Sequence, residues 1–75
     1  MARPIKTIAQ DINKAWDNVN YAAAPYLDAM LSIDNINDMY YEDPARQIVG
    51  YFLSNASSFR GDKAKELKRE LKILL

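Results

Sequence analysis

Behind Asp43-Pro44, apolar residues recur at Ala45, Ile48, Val49, Phe52, Leu53 and Ala56, the three- and four-residue spacing of one helix face. A stripe of this kind forces a packed helical structure, because a short helix is marginal in water until its apolar face is covered. Asp43 is expected to cap this helix and Pro44 to take its first position, where a missing N–H costs nothing. The segment is therefore the candidate central core helix. Gly50 lies off the stripe, where it weakens helix propensity by up to about 1 kcal/mol against alanine and leaves room for a neighbouring backbone.

The rest of the chain offers faces to cover it. Ile5, Ile8, Ile12, Ala15, Trp16 and Val19 form a stripe, and Thr7 with Gln10 resembles a capping box. A first helix is predicted from residue 7 or 8 towards Asn18. A second, over about 23–32, is built on Pro25 with Tyr26, Leu27, Met30 and Leu31. Asp34 offers an N-cap for a short third helix carrying Ile33, Ile36, Met39 and Tyr40. Asn55-Ala56-Ser57-Ser58 breaks the pattern. A last helix runs from Phe59 or Gly61 to the end, with Ala64, Leu67, Leu71 and Leu74 inward. No window alternates strictly and no Asn-Gly or Asp-Gly turn occurs, so no strand is expected. The expected fold is all-α, a compact bundle of four to five short helices around Trp16, Phe52 and the last helix's leucines, in one domain over 1–75.

Composition narrows the chemistry. The 75 residues include no cysteine and no histidine. Disulfides, thiolate metal sites and the commonest nucleophile–base arrangements are thereby removed, and the expectation is a binding protein without enzymatic activity or cofactor. Asp34, Asp38, Glu42 and Asp43 lack the spacing and turn glycine of a calcium loop, and read as capping and solvating groups. No apolar run approaches the roughly 20 residues of a membrane span, and Met1 to Lys6 lacks a signal-peptide core. The expected location is cytoplasmic.

Ten cationic and ten acidic residues cancel, but unevenly along the chain. Residues 1–56 carry four cationic and seven acidic side chains; residues 57–75 carry six and three. An acidic body thus precedes a basic end.

Two candidate sites follow. Asp38, Tyr40, Tyr41 and Glu42 join acidic charge to tyrosine, a residue enriched in interface hot spots, and would suit a basic protein surface. One of the two tyrosines is expected to pack and the other to be exposed. Arg60, Gly61 and Lys63 stand at a helix start, where free N–H groups favour an anion such as phosphate, although Asp62 already supplies negative charge there. Tyr21, Tyr26 and Tyr51 read as core or boundary residues. Ile73-Leu74-Leu75 either tucks into the core or joins a homo-oligomer.

Ile36-Asn37-Asp38-Met39-Tyr40, Ile48-Val49-Gly50-Tyr51-Phe52-Leu53-Ser54-Asn55-Ala56, Phe59-Arg60-Gly61-Asp62 and the Lys-Glu-Leu-Lys-rich end resemble small helical proteins encoded in bacteriophage genomes, a family of unknown function. The resemblance covers roughly residues 21–75 and brings no assigned chemistry. It implies a phage protein made in a bacterial cytoplasm, where such proteins often inhibit host components, including defence nucleases and nucleotide signals. The leading expectation is an inhibitor or modulator of a host bacterial protein. The alternative is an oligomeric sponge for a phosphorylated or nucleotide signal. Nucleic-acid binding through the basic last helix ranks third, because glutamates interrupt its charge and the chain is neutral overall. A virion component is a fourth expectation, which the sequence neither favours nor opposes.

Overall fold

The computed structural model describes residues 3–75. Its helices are α1 (Ile5–Ala15), α2 (Ala24–Met30), α3 (Ala45–Ser54) and α4 (Asp62–Leu74), with a two-residue strand pair, β1 (Met39–Tyr40) and β2 (Asp43–Pro44), ahead of α3. The protein is therefore mostly helical but not a pure all-α bundle. α1 packs on α2 and α4, and α2 packs on α3. A radius of gyration of 11.0 Å is that of a compact chain of this length, for which about 11 Å is expected.

The predicted stripes form the core. Ile5, Ile8 and Ile12 from α1 meet Leu27 and Met30 from α2, Ile48, Val49 and Phe52 from α3, and Ala64, Leu67 and Leu71 from α4. Trp16 leaves α1 in an extended conformation and turns into this core. Its ring stacks on Phe59, with centroids 4.9 Å apart, and meets Phe52 edge-on at 6.2 Å. Both geometries are favourable for aromatic quadrupoles. Ala15 is exposed, while Trp16 is buried and Val19 half-buried against the core, so the stripe skips that one position.

The third helix does not form. Ile33 and Asp34 give their carbonyls to the N–H groups of Lys6 (2.8 Å) and Ile5 (3.0 Å), capping α1. Those carbonyls are no longer available to start a helix of their own. Asn35 to Asp38 instead closes as a turn. The Asn35 N–H donates to Asp38 Oδ2 (3.0 Å) and the Asn37 N–H to Asn35 Oδ1 (2.9 Å). Asn and Asp side chains compete in this way with helical hydrogen bonding. The chain then runs into the hairpin, where Met39 pairs with Pro44 and Tyr40 with Asp43. No strand was expected from the sequence, and two residues are too few to show alternation.

Helix starts also differ from expectation. α1 begins at Ile5 on the carbonyl of Pro4, which accepts from Thr7 (3.0 Å) and Ile8 (3.2 Å), so Thr7 lies inside the helix and caps nothing. Asp43 does not cap α3; it belongs to β2, and extended Pro44 stands at the N-cap. A β-carbon at Gly50 would meet nothing within 4 Å, so no backbone approaches there.

Arg3 straps α1 to α4. Its guanidinium donates to both carboxylate oxygens of Glu70 (3.0 and 2.9 Å) and to Asp11 (2.7 Å). The hydrogen bond from Arg3 holds the Asp11 carboxyl below its ordinary value. Solvent screens ion pairs as exposed as these, so they orient the two helices more than they stabilise them.

Two outcomes are expected. Trp16→Ala should lower unfolding free energy by about 3–5 kcal/mol in urea titration, the cost of emptying a buried aromatic site. Asp11 has a depressed folded-state pKa, so its contribution is complete above the ordinary carboxylate range near pH 4 and is lost as pH falls through the folded value. Asp11→Asn should therefore flatten the acid limb of a thermal-stability profile and leave the profile near pH 7–9 parallel to the unsubstituted one.

Candidate functional site

The structure gathers Asp38, Tyr40, Tyr41 and Glu42 on the hairpin. Tyr40 is half-buried against the core edge, and Tyr41 is 86% exposed at the turn. The expected division of the two tyrosines holds, although the element is a hairpin and not a helix. Their rings meet edge-to-face at 4.7 Å and 82°. The Tyr40 ring thus backs that of Tyr41, and Met39 beside them is 59% exposed. Asp38, Glu42 and Asp43 are exposed around this apolar tip.

Tyr41 has φ of 57°, and among the described residues it is the one non-glycine with positive φ. It is the first central residue of the two-residue turn, a position that asks for glycine. A bulky side chain there costs about 1–2 kcal/mol. The solvent-facing ring recovers little of that cost by burial.

Asp38 has a second job: its carbonyl accepts from the Ala45 N–H (2.9 Å), tying the hairpin to the start of α3. Asp34 is paired with Lys6 at 2.9 Å. The acidic run is thereby spread over a cap, a turn and a hairpin, and no cluster of metal-ligating side chains forms among the described residues.

Arg60, Gly61 and Lys63 do not converge. Gly61 stands at the N-cap of α4 with φ of 109°, a conformation in which only glycine is unstrained, and a β-carbon there would meet nothing within 4 Å. Arg60 donates to the Ser57 carbonyl (3.3 Å) and lies on the side of Lys68, whose pKa it helps to lower. Lys63 lies on the other side, where its charge helps to lower the pKa of Asp11.

Two features were not legible beforehand. Tyr21 is 90% exposed in the turn before α2, and Tyr51 is exposed on α3, where its ring meets Tyr26 at 5.5 Å and its hydroxyl accepts from Gln47 Nε2 (2.8 Å). Neither is a core residue; α3's inward positions are already filled by Ile48, Val49 and Phe52. At the other end of the chain, Leu74 packs on the core, Ile73 and Leu75 are exposed, and Arg46 donates to the main-chain oxygen of Leu75. No helix among the described residues is long and apolar enough to cross a membrane.

The chain matches no protein-family model, no curated protein and no solved structure. The functional reading therefore rests on the geometry.

Two glycine substitutions of opposite direction test that geometry. Tyr41→Gly should leave thermal stability unchanged or raise it by up to about 1 kcal/mol, since it relieves positive φ at the cost of some unfolded-state entropy. Gly61→Ala should lower stability by about 1–3 kcal/mol, because alanine is strained at that φ and ψ. Differential scanning calorimetry reads both.

Proposed function

We propose that the protein is a non-enzymatic binding protein whose β1–β2 hairpin docks on a basic protein surface. The observation that carries this reading is Tyr41: a bulky, exposed aromatic side chain at a turn position where the backbone favours glycine. Backbone strain retained without a folding benefit is a mark of a site that acts on something outside the fold. The surroundings support it. Met39 and Tyr41 supply apolar contact area, the Tyr40 ring packs edge-to-face on that of Tyr41, and Asp38, Glu42 and Asp43 add exposed acidic charge. Aromatic anchors within a polar rim are the usual anatomy of a protein interface.

The rim would steer encounter with a cationic partner and raise the association rate at low salt. In the bacteriophage setting that the resemblance implies, the partner is a host bacterial protein with a positively charged face, and binding would mask that face. The separation of Arg60 from Lys63 leaves the phosphorylated-signal sponge without a converging site, so it stands behind the protein-binding reading.

Native mass spectrometry of the tagged protein purified from bacterial lysate is expected to find one added host protein. Titration with that protein should then show Tyr41→Gly weakening the complex by about 30-fold, the effect of losing about 2 kcal/mol at a hot spot. Asp38→Lys with Glu42→Lys should slow association and remove its salt dependence. A complex indifferent to both variants would refute the hairpin as the contact.

A further inference from the structure

The last helix reads along the sequence as an alternation, Asp62-Lys63-Ala64-Lys65-Glu66-Leu67-Lys68-Arg69-Glu70-Leu71-Lys72. Wound at about 100° per residue, it separates into flanks. Lys65, Lys68, Arg69 and Lys72 fall within an arc of about 100° on one side, while Asp62, Glu66 and Glu70 occupy the next arc. Glu70 is further withdrawn, because both of its oxygens are taken by Arg3. Of the acidic residues that break up the basic charge in sequence, Glu66 alone lines the groove on the basic flank, at its edge.

The cations on this flank are crowded and unneutralised. Among the described residues, the ion pairs are those of Arg3 with Asp11 and Glu70, and of Lys6 with Asp34, so none of the four is paired. Lys68 lies with its ammonium 5.7 Å from the Phe59 ring centre. Its pKa is lowered by partial burial and by the positive charges of Lys72 and Arg60. An open groove of about 510 Å³ runs along the flank, lined by Lys65, Glu66, Lys68, Arg69 and Lys72.

We infer that this flank of α4, extended by Arg60, is a second binding surface, which takes the phosphodiester backbone of a nucleic acid without reading its sequence. Three features select that occupant. Lys65 to Lys72 spans about 10 Å of helix axis, the axial length of about three phosphates on one strand of a duplex. The charges are spread along that line instead of converging on one point, as a small anion would require. The groove lining offers no apolar or aromatic anchor, unlike the hairpin, and a protein interface depends on such anchors. An anionic membrane fits poorly, since α4's apolar side (Ala64, Leu67, Leu71) is committed to the core and an interfacial helix must insert that side.

The surface is independent of the hairpin, so either proposal can fail without the other. The test is fluorescence anisotropy of a labelled 20-base-pair DNA duplex titrated with the full chain. Binding is expected at 50 mM salt and should weaken by about 40- to 150-fold at 200 mM, as three to four phosphate contacts dictate. Lys65→Gln, Arg69→Gln and Lys72→Gln should each reduce the salt slope by about one. These side chains are exposed, and circular dichroism checks that the helices persist. Lys14→Gln, an exposed cation on α1, should change nothing. The proposal is overturned if the duplex does not bind at 50 mM salt or if the triple variant binds as well as the unsubstituted chain. It is equally overturned if poly-L-glutamate competes as strongly as unlabelled DNA, which would make the occupant an acidic protein, or if anionic vesicles do so, which would make it a lipid surface.

Discussion

Trp16, Phe52 and Phe59 meet where the exit of α1, the last turn of α3 and the approach to α4 converge. A chain of 75 residues without a disulfide has little apolar area to spend, and such chains bury only about 60% of their unfolded surface. Three aromatic rings, each burying about 150–250 Å², are a large share of what is available. Their position also sets the shape of the rest. Trp16 can reach Phe59 only because the chain leaves the helix at that residue, and Phe59 fixes where α4 can begin. With α4 placed, Arg3 bridges its Glu70 to Asp11 of α1, and the basic flank is left facing solvent.

The two surfaces proposed for binding differ in a way that follows from how each is built. The hairpin is held by two residue pairs and by the Asp38 carbonyl on the Ala45 N–H, and it projects an aromatic side chain at a conformational cost. The α4 flank costs nothing in backbone conformation, but it holds like charges together, with Lys68 partly desolvated among them. Neither the Tyr41 ring nor the four cations of α4 belong to the buried core. In a molecule this small, both charges and aromatic area sit where the core does not need them. The split between acidic body and basic end becomes, in three dimensions, two separate faces with different anchor chemistry.

The helical stripes were legible because their period is set by local geometry. Ile5, Ile8 and Ile12, then Ile48, Val49 and Phe52, then Ala64, Leu67 and Leu71 are buried as their spacing requires. The breaker at Asn55–Ser58 and the helix built on Pro25 are likewise local matters. Residues 33–44 were misread for a physical reason. Asp34 is as good a helix cap as a sequence can offer, but the carbonyls of Ile33 and Asp34 are used by the N-terminus of α1, some 28 residues away in sequence. A hydrogen-bond donor that arrives from another element leaves no local trace. The grouping of Asp38, Tyr40, Tyr41 and Glu42 survived this error, because four near neighbours stay together in a turn or in a helix. Arg60 and Lys63 were separated because α4 begins between them and carries Lys63 around to the side of Asp11.

By itself, the sequence determined where the apolar faces of α1, α2, α3 and α4 lie and that histidine and cysteine side chains are absent, since these depend on residue type and a period of 3.6. The tertiary structure alone decided that Tyr41 sits at positive φ on a hairpin tip, that Trp16 stacks on Phe59, and that Arg3 takes up the Glu70 carboxylate beside the cations of α4. Each of those outcomes depends on which groups approach from distant parts of the chain and on which side of a helix the core claims. A one-dimensional pattern of charge and hydropathy does not contain that information, because contacts between residues far apart in sequence are set by how whole elements pack.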